Sequence, residues 1–137
     1  MVLLAGLSLL TLAACSRPAP EARLRADISA MQAAIQDRQP GEVMDRVADD
    51  FSGDGGMDRE ALHNLLRVQF LANADIGATI GPLDVTLRGD HATVRFSALL
   101  TGGSGRWVPD QAGGYQVITG WRLEEGDWKL YTAQWSR

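Results

Sequence analysis

VTLRGDHATVRFSALL, residues 85–100, decides the fold class. Val85 and Leu87 alternate with Thr86 and Arg88. After Gly89-Asp90, the residues Ala92, Val94, Phe96, Ala98 and Leu100 alternate with Thr93, Arg95, Ser97, Leu99 and Thr101. A period of two on both sides of a Gly-Asp pair predicts a hairpin with one face turned to a core. Downstream, the glycine-rich stretch TGGSGRWVPDQAGG (Thr101–Gly114) predicts a long loop. Tyr115, Val117, Thr119, Trp121 and Leu123 then mark a third strand, and Gly126-Asp127 turns it into a last one from Trp128 to Trp135. Upstream of Asn73 the spacing is helical. Leu24, Ile28, Met31 and Ile35 form one stripe; Val43, Met44, Val47 and Phe51 suggest a short second helix after Pro40. Asp58 is the expected N-cap of a third, with Leu62, Leu65, Leu66 and Phe70 on its buried face and Val68 and Leu71 widening it. Three helices before an antiparallel meander of about four strands argue α+β, with the helices on one face of a curved sheet.

Composition narrows the function. The 137 residues carry a net charge of −4, and the single lysine is Lys129. Without clustered basic residues, nucleic acid is an unsuitable partner. One cysteine forms neither an internal disulfide nor a thiolate metal site, and two scattered histidines do not complete one. No metal and no cofactor are implied.

Residues 1–16, MVLLAGLSLLTLAACS, are uncharged. The apolar run is too short to span a bilayer, which takes roughly 20 residues, but has the length of a signal-peptide core. Ending in Leu12-Ala13-Ala14-Cys15, it resembles a bacterial lipoprotein signal. That resemblance implies cleavage before Cys15 and a diacylglycerol on its sulfur; Ser16 next to it implies sorting to the outer membrane, facing the periplasm. Met1-Val2-Leu3 lacks the usual basic start, which points to a start codon further upstream. Residues 1–14 are thus the expected signal peptide, 15–20 (CSRPAP) a tether, and 21–137 one domain.

Three stretches together resemble the nuclear-transport-factor-2-like superfamily, the cone shared by ketosteroid isomerase, scytalone dehydratase and polyketide cyclases. They are VADDFSGDGGMDREAL (Val47–Leu62), the strand pair around Gly89-Asp90, and WRLEEGDWKLYTAQW (Trp121–Trp135). The resemblance implies a cystatin-like cone over about residues 21–136 and says little of activity, since the same cone hosts enzymes, binders and adaptors. Matched to ketosteroid isomerase, the catalytic acid falls on Gly55, with Asp54 beside it; the first-helix tyrosine is missing, because the tyrosines are Tyr115 and Tyr131. Matched to scytalone dehydratase, the histidines are His63, at the edge of the third helix's stripe, and His91, after a turn.

The catalytic candidates are therefore weak: Asp50, Asp54 and His63, each with a capping, turn or surface role that suffices without chemistry. For ligand binding the candidates are Arg95 as an anion anchor, Trp107 in the glycine-rich loop, Tyr115 and Trp135. Trp121 and Trp128 have the parity of the core, whereas Trp135 shares that of Tyr131 and Ala133, the opposite face. The expected role is binding of a small apolar ligand or an envelope protein, without catalysis. A lyase or isomerase of the cone superfamily is the alternative, and a homodimeric assembly module the third reading.

Overall fold

A computed structural model describes residues 19–72, 77–101 and 114–137. Helix α1 (Pro20–Gln36) starts on a proline, whose fixed φ suits the first turn, with Glu21 near the positive end of the helix dipole. It buries Leu24, Ile28 and Ala34. Its end is closed by Arg38 N–H donating to Ile35 O (3.1 Å) and Gln39 N–H to Ala34 O (2.9 Å), a Schellman pair. The left-handed position of that motif, usually glycine, is Arg38 at φ 54°.

Helix α2 (Pro40–Met44) is only five residues long. The expected second helix stops there, and Val47–Gly53 is strand β1, parallel to the last strand. Val47 lies opposite Leu130 but Ser52 opposite Thr132, so five steps on β1 match two on its partner. Val47 and Phe51 are both buried, and a separation of four places two residues on one face of a strand as well as of a helix, which is why their spacing suggests a helix. A short turn at Asp54–Gly56 leads to helix α3 (Arg59–Ala72), where the Asp58 carboxylate accepts the Ala61 N–H at 2.8 Å, the expected cap. Only half of the expected face is buried: Leu62, Leu66 and Phe70 pack inward, whereas Leu65, Val68 and Leu71 are exposed.

Strands β2 (Gly77–Ile80), β3 (Asp84–Arg88), β4 (His91–Thr101), β5 (Gly114–Glu124) and β6 (Asp127–Ser136) complete a six-stranded sheet. Its order is β1-β6-β5-β4-β2, with β3 also on β4. The sheet is therefore mixed rather than antiparallel throughout, and β2 is a strand that its four-residue GATI sequence did not announce. Gly89 (φ 59°) and Gly126 (φ 86°) make the two expected hairpin turns.

The core lies between the helices and the concave face of the sheet, with Leu24, Val94 and Trp128 almost wholly removed from solvent. The Trp128 indole donates to Pro20 O at 3.0 Å, tying the start of α1 to the sheet. Every core residue among those described lies at or beyond Leu24, so a chain starting at Ser16 keeps all of these. Among the described residues, no helix is long and apolar enough to cross a membrane.

Candidate functional site

Strand register defines which side chains share the concave face. Along β4, β5 and β6 they stand in rows. Ala92, Trp121 and Leu130 form one; Val94, Thr119 and Ala133 the next; then Phe96, Val117 and Trp135; then Ala98 and Tyr115, with Arg137 beside the tyrosine. The first two rows are buried throughout. Beyond them, Phe96, Val117, Trp135 and Tyr115 are only half-buried. The concave face thus grades from a sealed aromatic floor to a partly open aromatic end.

Trp135 reaches that end because of a bulge. Gly120 pairs with Thr132, but Trp121 pairs with Leu130, leaving Tyr131 as an extra residue on β6. The bulge reverses the phase of the strand. Trp128 and Leu130 face inward before it, Ala133 and Trp135 after it. The expected outward placement of Trp135 is thereby corrected: it packs against the core. Tyr131 instead lies over Gly120 on the convex face, where a Cβ on the glycine would come within 2.6 Å of Thr132 Cγ2 and 3.0 Å of the tyrosine ring.

The inward polar groups are few. Thr119 is the one buried polar residue among those described, and it is satisfied: its hydroxyl donates to Val94 O (3.0 Å) and accepts from the Trp121 indole (2.9 Å). Tyr115 is half-buried, with the Arg137 guanidinium 5.7 Å from its ring centroid and Nη2 3.4 Å from its hydroxyl.

The expected catalytic residues do not converge. Asp50 is exposed on β1 and pairs with Arg122 at 2.6 Å, joined there by Glu124 at 3.1 Å. Hydrogen bonding to Arg122 holds the Asp50 carboxyl below the usual range, and the same bond, with Glu124, raises Arg122. A carboxylate so stabilised in its ionised form is a poor proton acceptor at neutral pH. The Arg122 guanidinium also lies 5.2 Å from the centre of the Tyr131 ring, which His91 meets edge-on at 5.7 Å. Asp54 is exposed in the turn before α3, as is Gly55, where the isomerase acid would fall. His63 is half-buried on α3. Arg95 is exposed, opposite Ile118 and Asp84 on the face away from the helices, and cannot anchor a ligand on the concave side. Trp107 and Cys15 lie outside the described residues. Among those described, no group of three or more His, Cys, Asp or Glu is placed to hold a metal ion.

A groove of about 250 Å³ beside β1 is lined by charges of both signs. Arg59 is spent there on Met44 O (3.1 Å) and Val47 O (3.4 Å), and Lys129 on Asp45 O (2.5 Å). These cations hold the α2–β1 connection and the strand edge together.

The residues that the sequence did not single out are Phe96, Val117 and Arg137. Arg137 follows Trp135 by two and would have been placed beside Tyr115 had the phase of β6 been known.

No protein-family model and no curated protein matches the chain. Solved structures do. A nuclear-transport-factor-2-like protein of unknown function from Pseudomonas putida overlays with a TM-score of 0.72 at 20% identity, covering 85% of this chain and 84% of that one. A Streptomyces avermitilis protein of the same class, carrying a provisional dehydratase description, gives 0.72 at 16%, covering 84% and 93%. Bd1075 of Bdellovibrio bacteriovorus gives 0.72 at 9%; 82% of this chain matches, spanning 40% of that longer one. The fold is the nuclear-transport-factor-2-like, or cystatin-like, cone.

Proposed function

We propose that this chain is an outer-membrane lipoprotein, anchored through Cys15 and facing the periplasm, whose cone binds a small apolar ligand without transforming it. The observation that carries the reading is the gradation of the concave face: a sealed floor of Trp121, Val94 and Thr119 beneath a half-buried end formed by Phe96, Val117, Trp135 and Tyr115. Aromatic walls with few polar groups suit apolar ligands, because each ring contributes a large area to be covered. Chemistry asks for more. An acid–base mechanism needs a carboxylate or imidazole of matched pKa within reach of the ligand, and Asp50 and Asp54 are both exposed, outside the rows of the concave face. The uncharged run ending at Cys15 supports the anchor.

The test is fluorescence titration of the soluble chain from Ser16 with N-phenyl-1-naphthylamine, a neutral apolar probe. Saturable binding that Asp54→Asn changes by less than about threefold supports the binder. Turnover of an envelope metabolite, lost in Asp54→Asn or His63→Ala, would replace it with the lyase or isomerase reading. Absence of probe binding together with a concentration-dependent dimer in sedimentation would favour an assembly module.

A further inference from the structure

The concave face is not uniformly apolar. Just past the end of β6 an exposed cation, Arg137, stands beside the ring of the half-buried Tyr115. The ring face attracts the guanidinium, whose Nη2 lies 3.4 Å from the phenol oxygen. Elsewhere on the molecule Arg25, Arg46, Arg59 and Arg122 each lie against a carboxylate, whereas among the described residues Arg38, Arg67, Arg88 and Arg95, like Arg137, do not; Arg137 differs from those four in its contact with the aromatic end of the concave face. Among the described residues, no carboxylate is paired with Arg137. Nor does an acidic side chain stand in the two rows at this end, which consist of Phe96, Val117 and Trp135 and of Ala98, Tyr115 and Arg137.

A guanidinium beside an aromatic wall is suited to a planar oxyanion, which it can meet through parallel N–H donors. Resting on the binder reading above, we infer that the ligand is an amphipathic organic acid. Its apolar body covers Phe96, Val117 and Trp135, and its carboxylate lies at the guanidinium of Arg137. A cationic amphiphile would place its charge against Arg137, whereas a neutral one would gain nothing from the guanidinium.

Two probes separate the inference from the reading beneath it. N-phenyl-1-naphthylamine and 8-anilinonaphthalene-1-sulfonate share one aromatic body and differ in an anionic group. With the soluble chain from Ser16, the sulfonate is expected to bind about fivefold tighter, the worth of one partly exposed ion pair. Arg137→Gln should abolish that preference, Arg137→Lys should restore part of it, and salt should diminish it in the wild type. Circular dichroism of each variant must match the wild type, so that the sulfonate reports a folded site. Equal affinities for the two probes, or a preference that survives Arg137→Gln, overturn the acid while the binder stands. Failure of both probes to bind overturns the binder and the acid together.

Discussion

Trp135 belongs to the concave face only if Tyr131 is the extra residue of β6, and Gly120 reports on that bulge. On a strand, Gly→Ala ordinarily stabilises by about 0.5–1 kcal/mol, because alanine has less backbone freedom to lose. Here the added Cβ would meet Thr132 Cγ2 at 2.6 Å and the Tyr131 ring at 3.0 Å. The threonine methyl is one bond from its Cβ and cannot swing away without changing rotamer. Gly120→Ala should therefore destabilise by about 1–3 kcal/mol, the range for overpacking a fitted contact, with a sign opposite to the intrinsic preference. Thr132→Ser removes the methyl and relieves the nearer clash. In the double variant the cost of the alanine should fall, giving a coupling of about 1 kcal/mol or more. Urea unfolding of the four proteins, followed by tryptophan fluorescence, measures it. Gly120→Ala at wild-type stability or above, or a cost that Thr132→Ser leaves untouched, would refute the bulge and with it the inward Trp135.

Three further outcomes are expected. Arg38 occupies the left-handed position after α1 at φ 54°, so Arg38→Gly should raise stability by about 1 kcal/mol, read as a shifted urea midpoint. Asp50 is held below its ordinary pKa by Arg122, so its contribution is present above about pH 4 and fades as pH falls through the lowered value; Asp50→Asn should flatten that acid limb and leave the alkaline side alone in a stability–pH series. Cys15→Ala, expressed behind a functional signal peptide, should move the protein from the carbonate-washed membrane pellet to the soluble fraction; retention in the pellet would exclude lipidation at Cys15.

Much of the fold was legible because its determinants are local. Asp58 caps α3 through a contact three residues away, and the Gly89 and Gly126 turns need only a residue at ease with positive φ. The alternation along β4 and β5 likewise follows from one neighbour to the next. What misled was the bulge, which alters phase without altering composition. On β6 it carries Trp135 from the expected outer face to the inner one, whereas on β1 the four-residue spacing of Val47 and Phe51 fits one face of a strand as well as of a helix. Helix α3 shows the complementary problem. Its apolar residues lie all round, and only packing decides that Leu62 and Leu66 turn inward while Val68 and Leu71 stay in solvent. The site inherited both errors. Tyr115 sits on a regular strand and could be placed, whereas Arg137, beyond the bulge, could not. Asp50 looked available because its partner Arg122 is 72 residues away in the chain.

Probe titration of Trp135→Ala tests most directly whether the half-buried aromatic end of the cone is a binding site. The wild-type chain from Ser16 should bind N-phenyl-1-naphthylamine saturably, with a Kd of about 1–100 μM for a ligand of that size. Removing the indole should weaken binding about tenfold or more, the equivalent of losing one large apolar contact. Saturable binding that is indifferent to Trp135→Ala, or no saturable binding by the folded wild type, would contradict it.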